Sequence, residues 1–287
     1  MAGALARITA NIGGPGERRR RMYATVVMSV LLYGAPIWAQ TVAGDRGILN
    51  GVRKLQRQLA LRTIRGYRTI SHDAAAILAG MVPFDLAANR IKRSYIRRRD
   101  ILARDGAVTQ HVGAVLMEVE RRRSIERWQG RLNELPTGGP GAVVQGAIGD
   151  DLEGWIGRAH GSLTYRITQI LTRHGVFESY LYKIGRRDTP ICLFCRATSD
   201  TAAHTLLFCP AWTEQRGALL EIIGVDRTLR AVVRAAMRSA EAWHVLAEYC
   251  EKVMRIKEED ERARERGTVP RVGILALPPD EEDSDTG

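Results

Sequence analysis

The chain has 287 residues, of which 45% are hydrophobic and 26% charged. This balance excludes a disordered or fibrous polypeptide and allows one large or two modest buried cores. The net charge of +11 is uneven: residues 1–100 carry 18 Lys/Arg against 5 Asp/Glu, whereas the remaining 187 carry 25 against 27. So one half is expected to face a polyanion. Only four cysteines occur, three of them within 18 residues. A disulfide scaffold is therefore not expected, and the reading is a reducing, intracellular compartment, nuclear or cytoplasmic. No signal peptide is read at the start. The longest apolar run, about residues 24–39, is short for a bilayer span and is interrupted by Ser29, Gly34 and Pro36. A soluble protein without membrane contact is expected.

In chain order, Arg18, Arg19, Arg20 and Arg21 lead into an apolar, helix-like run that is expected to end at Pro36. Ile48, Val52, Leu55, Leu59 and Ile64 then recur at near-helical spacing with basic residues between them. The stretch SHDAAAILAG reads as a short helix, capped by Ser71 and stopped by Gly80. A longer helix follows from Pro83, with Leu86, Ile91, Tyr95 and Ile101 or Leu102 on one side. Arg90, Lys92, Arg93, Arg97 and Arg98 lie on the other, next to Arg99. Another helix is expected over about 112–135. Residues 137–149 hold five glycines and a proline and read as a linker. A helix is expected from Asp150 or Asp151 to about Arg173, and a long final one from a cap at Asp226 through Trp243 and Cys250. Strand-like alternation is almost absent, so the fold reads as mainly α. Residues 269–287, ending in LPPDEEDSDTG, read as a disordered acidic tail.

The stretch ICLFCRATSDTAAHTLLFCP places Cys192, Cys195, His204 and Cys209 at spacings of two, eight and four intervening residues. Three soft thiolates and an imidazole at this spacing can wrap one tetrahedral Zn²⁺ as a structural site. The alternative, a group of buried free thiols, accounts poorly for four candidate ligands in 18 residues. Cys250 falls on the apolar face of its helix and reads as a core thiol. The Asp150–Asp151 pair is the one carboxylate pair to weigh for two-metal chemistry. It follows a glycine-rich stretch and opens a helix, where Asp is a stabilising cap. No phosphate loop or nucleophile elbow occurs, and no catalytic residue is assigned.

The knuckle and the segment before it, LTYRITQILTRHGVFESYLYKIGRRDTPICLFCRATSDTAAHTLLFCPAW, resemble the C-terminal region of non-LTR retrotransposon Pol proteins. They are most similar to insect type-1 elements that insert into ribosomal RNA genes. The match runs through Gln169, Leu171, Thr172, His174, Gly175, Phe177, Tyr180, Leu181, Cys192, Cys195, Asp200, His204, Cys209, Pro210 and Trp212. It departs at Arg173 and Val176, where the pattern has Gly and Cys. The segments from Asn11 to Ala39 and from Thr69 to Arg90 are similar to the region following a reverse transcriptase palm and to its thumb helices.

The resemblance implies a parent that is an RNA-directed DNA polymerase with an endonuclease domain. Palm, fingers and endonuclease, and the Mg²⁺ they use, would lie before Met1. This segment would then be a thumb-like basic helical domain over 1–136, a linker over 137–149, and a helical domain over 150–268 with the knuckle at 192–209. Its partners would be RNA and an RNA/DNA hybrid or DNA. Arg18, Arg19, Arg20, Arg21, Lys92, Arg93, Arg97, Arg98 and Arg99 would contact phosphates. Arg186, Arg187 and Arg196, with Phe194 and Trp212 as stacking faces, would grip single-stranded RNA at the knuckle. Two alternatives stand beside this: Phe194 as core packing over the metal, and the arginine rows as a solvated face. A different reading of the whole chain is a zinc-stabilised adaptor that binds protein through the Trp243 helix.

Overall fold

The computed structural model describes residue 10, residues 14–136 and residues 138–267. The expected acidic tail at 269–287 lies outside the described residues. Among the described residues the chain is helical and contains no strand. No single helix among them is long and apolar enough to cross a membrane.

The first run does not reach Pro36 as one helix. Helix α1 (Glu17–Leu31) ends before Gly34, whose φ of 70° turns the chain by 85° into α2 (Ala35–Gly44). Pro36 opens α2 rather than closing α1, because a first-turn N–H needs no helical partner. Helix α3 (Arg46–Thr63) follows with the Asp45 side chain accepting from the amides of Gly47 and Ile48. Helix α4 (His72–Ala79) is bounded as its sequence predicts, with Ser71 Oγ accepting from Ala74 N and Gly80 left-handed at φ 61°. Ala74 through Ala79 are all buried, so α4 is a central rod covered on every side.

Helices α5 (Phe84–Asp105) and α6 (Gln110–Asn133) form a hairpin. Small residues let α2 approach α5, through Ala35, Ala39 and Ala88. Glu120 of α6 is fully buried, and its carboxylate faces Arg93 at 2.6 Å, Arg97 at 3.1 Å and Arg123 at 3.3 Å. Three guanidiniums on one buried carboxylate join α5 to α6 and offset the cost of removing that charge from water.

The expected linker is part of the core. Residues 142–148 form α7 (Ala142–Ile148), and Val144, Ala147 and Ile148 are buried. One contiguous cluster runs from Ala60 through α4, α6 and α7 to Met254, so the glycine-rich stretch does not divide the core. The helix expected from 150 to 173 is broken. A single 3₁₀ turn leads into α8 (Leu152–Gly157), residues 158–164 are non-helical, and α9 (Tyr165–Thr172) restarts on a Thr164 cap. The break lets Arg158 stack on Trp155, 3.7 Å from its ring centre, and on Trp243 at 4.9 Å. Burial holds the Arg158 guanidinium down at about 10. Gly161, at φ 77°, packs directly on the Trp243 indole and leaves no room for a Cβ.

After α10 (Glu178–Lys183) and the knuckle come α11 (Thr213–Ile223), α12 (Leu229–Arg238) and α13 (Ala240–Glu265). The expected final helix is thus two. Their caps are Thr228 and Ser239, while Asp226 is exposed and caps neither. Cys250 is buried as expected.

Replacing Glu120 with Ala leaves Arg93, Arg97 and Arg123 crowded without a counter-charge. The arginines reach solvent, so the expected loss is about 2–3 kcal/mol, below the 3–5 typical of a fully buried broken pair. Urea unfolding followed by circular dichroism measures it, and a change under about 0.5 kcal/mol would show that the cluster does not hold the hairpin.

Candidate metal centre and basic faces

The ligand loop is built by two local devices. The first is a tight turn: Cys192 N donates to Ala197 O and Arg196 N to Cys192 O, both at 2.9 Å, with Arg196 left-handed at φ 64°. It brings the sulfurs of Cys192 and Cys195 onto one side. The second is a single turn of π-helix over His204–Phe208, closed by Cys209 N donating to His204 O at 2.7 Å. The wider turn brings residues five apart together, as the spacing of His204 and Cys209 requires. Pro210 follows at once and opens a 3₁₀ turn.

The four donor atoms lie within 4.8 Å of one another. Cys192 Sγ and Cys209 Sγ are 3.9 Å apart, and Cys195 Sγ is 3.3 Å from His204 Nε2. Thiolate–zinc bonds of about 2.3 Å in a tetrahedron put sulfurs about 3.8 Å apart. The Cys₃His cluster can therefore hold one metal ion, and its donors and spacing suit structural zinc. Cys192 and Cys209 are buried, Cys195 and His204 half-buried. The Cys209 thiol, donating to Cys192, holds Cys192 down at about 5, and the Phe194 and Cys195 amides add to this. Cys209 is pushed up by the same bond.

Most of the buttressing lies outside the motif. Asp200 is buried and its carboxylate accepts from Lys257 Nζ at 2.6 Å, from Glu178 N at 3.0 Å and from Thr205 Oγ1 at 2.9 Å. The Lys257 ammonium also sits over the rings of Phe177 and Phe194, at 5.6 and 5.2 Å. The buried Arg216 caps the π turn, donating to Leu206 O at 2.8 Å and Cys209 O at 2.7 Å. The Tyr249 hydroxyl donates to Thr205 O. Lys257 and Arg216 carry little sequence signal as isolated cations. Lys257 nevertheless stands on the face of α13 that holds Trp243, Leu246, Cys250 and Val253, and a lysine in that row needs a buried partner.

The segment before the knuckle is scaffold of the same kind. Gln169 Nε2 donates to Glu258 Oε1 at 2.8 Å, and its Oε1 lies against Gly175, which at φ 148° leaves no space for a Cβ. His174 Nδ1 donates to Thr172 O at 2.7 Å, and its ring meets Tyr180 edge-on. Burial pushes the His174 imidazole down. Arg173, where the resembled pattern has Gly, is the left-handed C-cap of α9 at φ 60°. Val176, the other departure, is half-buried against the core.

Several expected nucleic-acid residues are committed to the fold instead. Arg20 is buried, donating to the carbonyls of Pro15, Ala10 and Arg62. Burial and its neighbours Arg65 and Arg62 hold it down at about 10. Arg21 binds Glu17 and Ala79 O. Arg93 and Arg97 are spent on Glu120. Arg187 links Glu178 to Glu261. Lys92 donates to Gln40 Oε1 at 2.8 Å, and Arg186 lies 3.9 Å from Glu265. Trp212 is buried and is no stacking face. Phe194 is half-buried against it, with ring centres 4.8 Å apart, so packing at the metal loop describes Phe194 better than a free platform. Trp243 is buried too, which removes the proposed adaptor face. Arg18, Arg19, Arg98, Arg99 and Arg196 are exposed. In the Asp150–Asp151 pair, Asp151 caps α8 through Gly154 N at 2.9 Å, and Asp150 faces Arg230.

The chain is 28% identical over 237 residues to a 115 kDa protein in the type-1 retrotransposable element R1DM of Drosophila melanogaster. It is 26% identical over 224 residues to a Pol polyprotein from the R1 element of Bradysia coprophila, and 25% over 253 to one from element R1 4 of Nasonia vitripennis. Its curated homologues are R1 Pol proteins. These alignments cover 79, 75 and 84% of this chain but 22, 22 and 61% of the relatives, so the chain spans about a fifth to three fifths of their length. No family model matches the chain, and no solved structure matches it.

The Arg173 position tests the scaffold. A non-glycine residue in the left-handed region costs on the order of 1 kcal/mol, so Arg173→Gly is expected to raise stability by about 0.5–1 kcal/mol. A thermal or urea midpoint that falls would show that the Arg173 side chain contributes more than its backbone costs.

Proposed function

We propose that this chain is the C-terminal portion of an R1-type Pol protein and that it binds template RNA and the growing RNA/DNA duplex. The parent would be an RNA-directed DNA polymerase with an endonuclease. Both chemistries, and their Mg²⁺, are assigned to parts of such a protein outside this chain. Cys192, Cys195, His204 and Cys209 would hold one structural Zn²⁺, which would fix the loop carrying Arg196 and keep it on α13. The chain would work inside the cell, where thiols stay reduced.

What supports the reading is that some of the cations marked from the sequence stay outside the structural pairs. Arg18, Arg19, Arg98, Arg99 and Arg196 are exposed and form no ion pair with a described carboxylate, in a chain homologous to R1 Pol proteins. Such cations give affinity through counterion release and read little sequence.

Two measurements check this. Protein purified without chelator is expected to contain one zinc per chain, and Cys195→Ser to contain none. Metal binding contributes roughly 10 kcal/mol or more in small zinc domains, so residues near 190–212 should lose hydrogen-exchange protection in that variant. Protein without metal but with full protection there would remove the zinc assignment.

For nucleic acid, log K for an RNA/DNA hybrid should fall linearly with log salt, with a slope of about −3 to −5 for three to five neutralised phosphates. Arg98→Gln with Arg99→Gln should flatten it by about 1 to 2, equally for unrelated sequences. A wild-type slope near zero would return the chain to a protein adaptor. Its face would then be the exposed Ile96, Leu102, Val115 and Met117 of the α5–α6 hairpin.

A further inference from the structure

A basic cleft of about 340 Å³ lies between α3 and the start of α4, lined by Asn50, Arg53, Lys54, Arg57, His72 and Asp73. None of these residues belongs to the arginine rows already considered. Asn50, Arg53, Lys54 and Arg57 recur at helical spacing, so one face of α3 carries three cations within five residues. Like charges at this spacing repel unless an anion sits among them.

The three cations are not equivalent. Arg57 is fixed at the base, its Nε donating to Ile70 O at 3.0 Å and its Nη2 to the carbonyls of Ile70 and Arg68. Arg53 and Lys54 are exposed at the rim and form no ion pair with a described carboxylate. One carboxylate lines the cleft, Asp73, and His72 Nδ1 already binds it at 3.0 Å. His72 Nε2 is buried and has no hydrogen-bond partner. Three cations, Arg53, Lys54 and Arg57, against one carboxylate that His72 already binds and Arg53 also faces, give the cleft a net positive charge that suits an anion. A guanidinium fork and an ammonium both suit phosphate oxygens, the first by geometry and the second as a point charge.

We propose that this cleft is a phosphate-binding site that seats the backbone of the bound nucleic-acid strand. The proposal rests on the nucleic-acid reading above. It adds a contact on α3 and α4, elements that lie outside the arginine rows.

The test uses the whole chain with its metal and a fixed RNA/DNA hybrid duplex. Salt titrations compare the wild type with Arg53→Gln/Lys54→Gln and with Arg98→Gln/Arg99→Gln. Neither the Arg53 nor the Lys54 side chain forms a hydrogen bond or ion pair among the described residues, and circular dichroism should be unchanged in that variant. Its slope should be flatter by about 1 to 2. The His72 ring protons should shift on adding duplex to wild type, and shift less in this variant. A variant titration that superimposes on a steep wild-type line, with unmoved His72 resonances, overturns the cleft while leaving nucleic-acid binding standing. A flat wild-type line overturns both.

Discussion

A lysine with 2% of its side chain exposed, bonded to an aspartate with 1% exposed, holds the metal loop onto the rest of the molecule. Burying either charge alone would cost several kcal/mol, so Asp200 and Lys257 tolerate their surroundings only together. The pair is further satisfied by an amide of α10, a threonine hydroxyl of the π turn and two aromatic faces. Residues from α10, the knuckle and α13 therefore meet at one carboxylate. This geometry fixes where the loop sits against α10 and α13. The four ligands organise the loop internally, and Asp200 with Arg216 decides where the loop sits.

The same physics sorts the arginines. A chain this basic can use a guanidinium either as a long-armed hydrogen-bond donor to backbone carbonyls or as a surface charge. Arg20, Arg57 and Arg216 are of the first kind, each donating to two or more backbone carbonyls. Arg93, Arg97, Arg166 and Arg187 neutralise carboxylates that are wholly or largely buried, Glu120, Glu258 and Glu178. Of the cations marked from the sequence as nucleic-acid contacts, only Arg18, Arg19, Arg98, Arg99 and Arg196 remain exposed and outside these pairs. Arg53 and Lys54 of α3, which the charge rows alone did not mark, are exposed as well.

The homology to R1 Pol proteins acquires a physical content in the segment before the knuckle. Gln169, His174, Gly175 and Tyr180 lie outside the Cys₃His cluster. They fix the exit from α9 and the entry to α10, the helix whose first amide reaches Asp200. Arg173 shows the converse: a position that favours glycine for its backbone is occupied by a residue with no such preference. The Arg173 amide, donating to Ile170 O, closes α9 in that conformation.

The sequence by itself determined the helical class, the bounds of α4, the burial of Cys250 and the four residues that the fold gathers into one Cys₃His cluster. Each rests on local chemistry: a cap, a left-handed glycine, a helical row, or ligands close along the chain. It also marked the N-terminal half as the basic one. Tertiary structure alone decided the rest. A glycine-rich stretch became a core helix because Val144, Ala147 and Ile148 had a buried surface to join. The helix expected over 150–173 broke at 158–164 because Arg158 and Gly161 had indole rings to pack on. Which arginines are free depended on carboxylates and carbonyls 27 to 42 residues or more away, as for Arg93 with Glu120 and Arg20 with Arg62. No local pattern encodes those distances. Charge is written in the sequence, but its availability is set by what folding brings beside it.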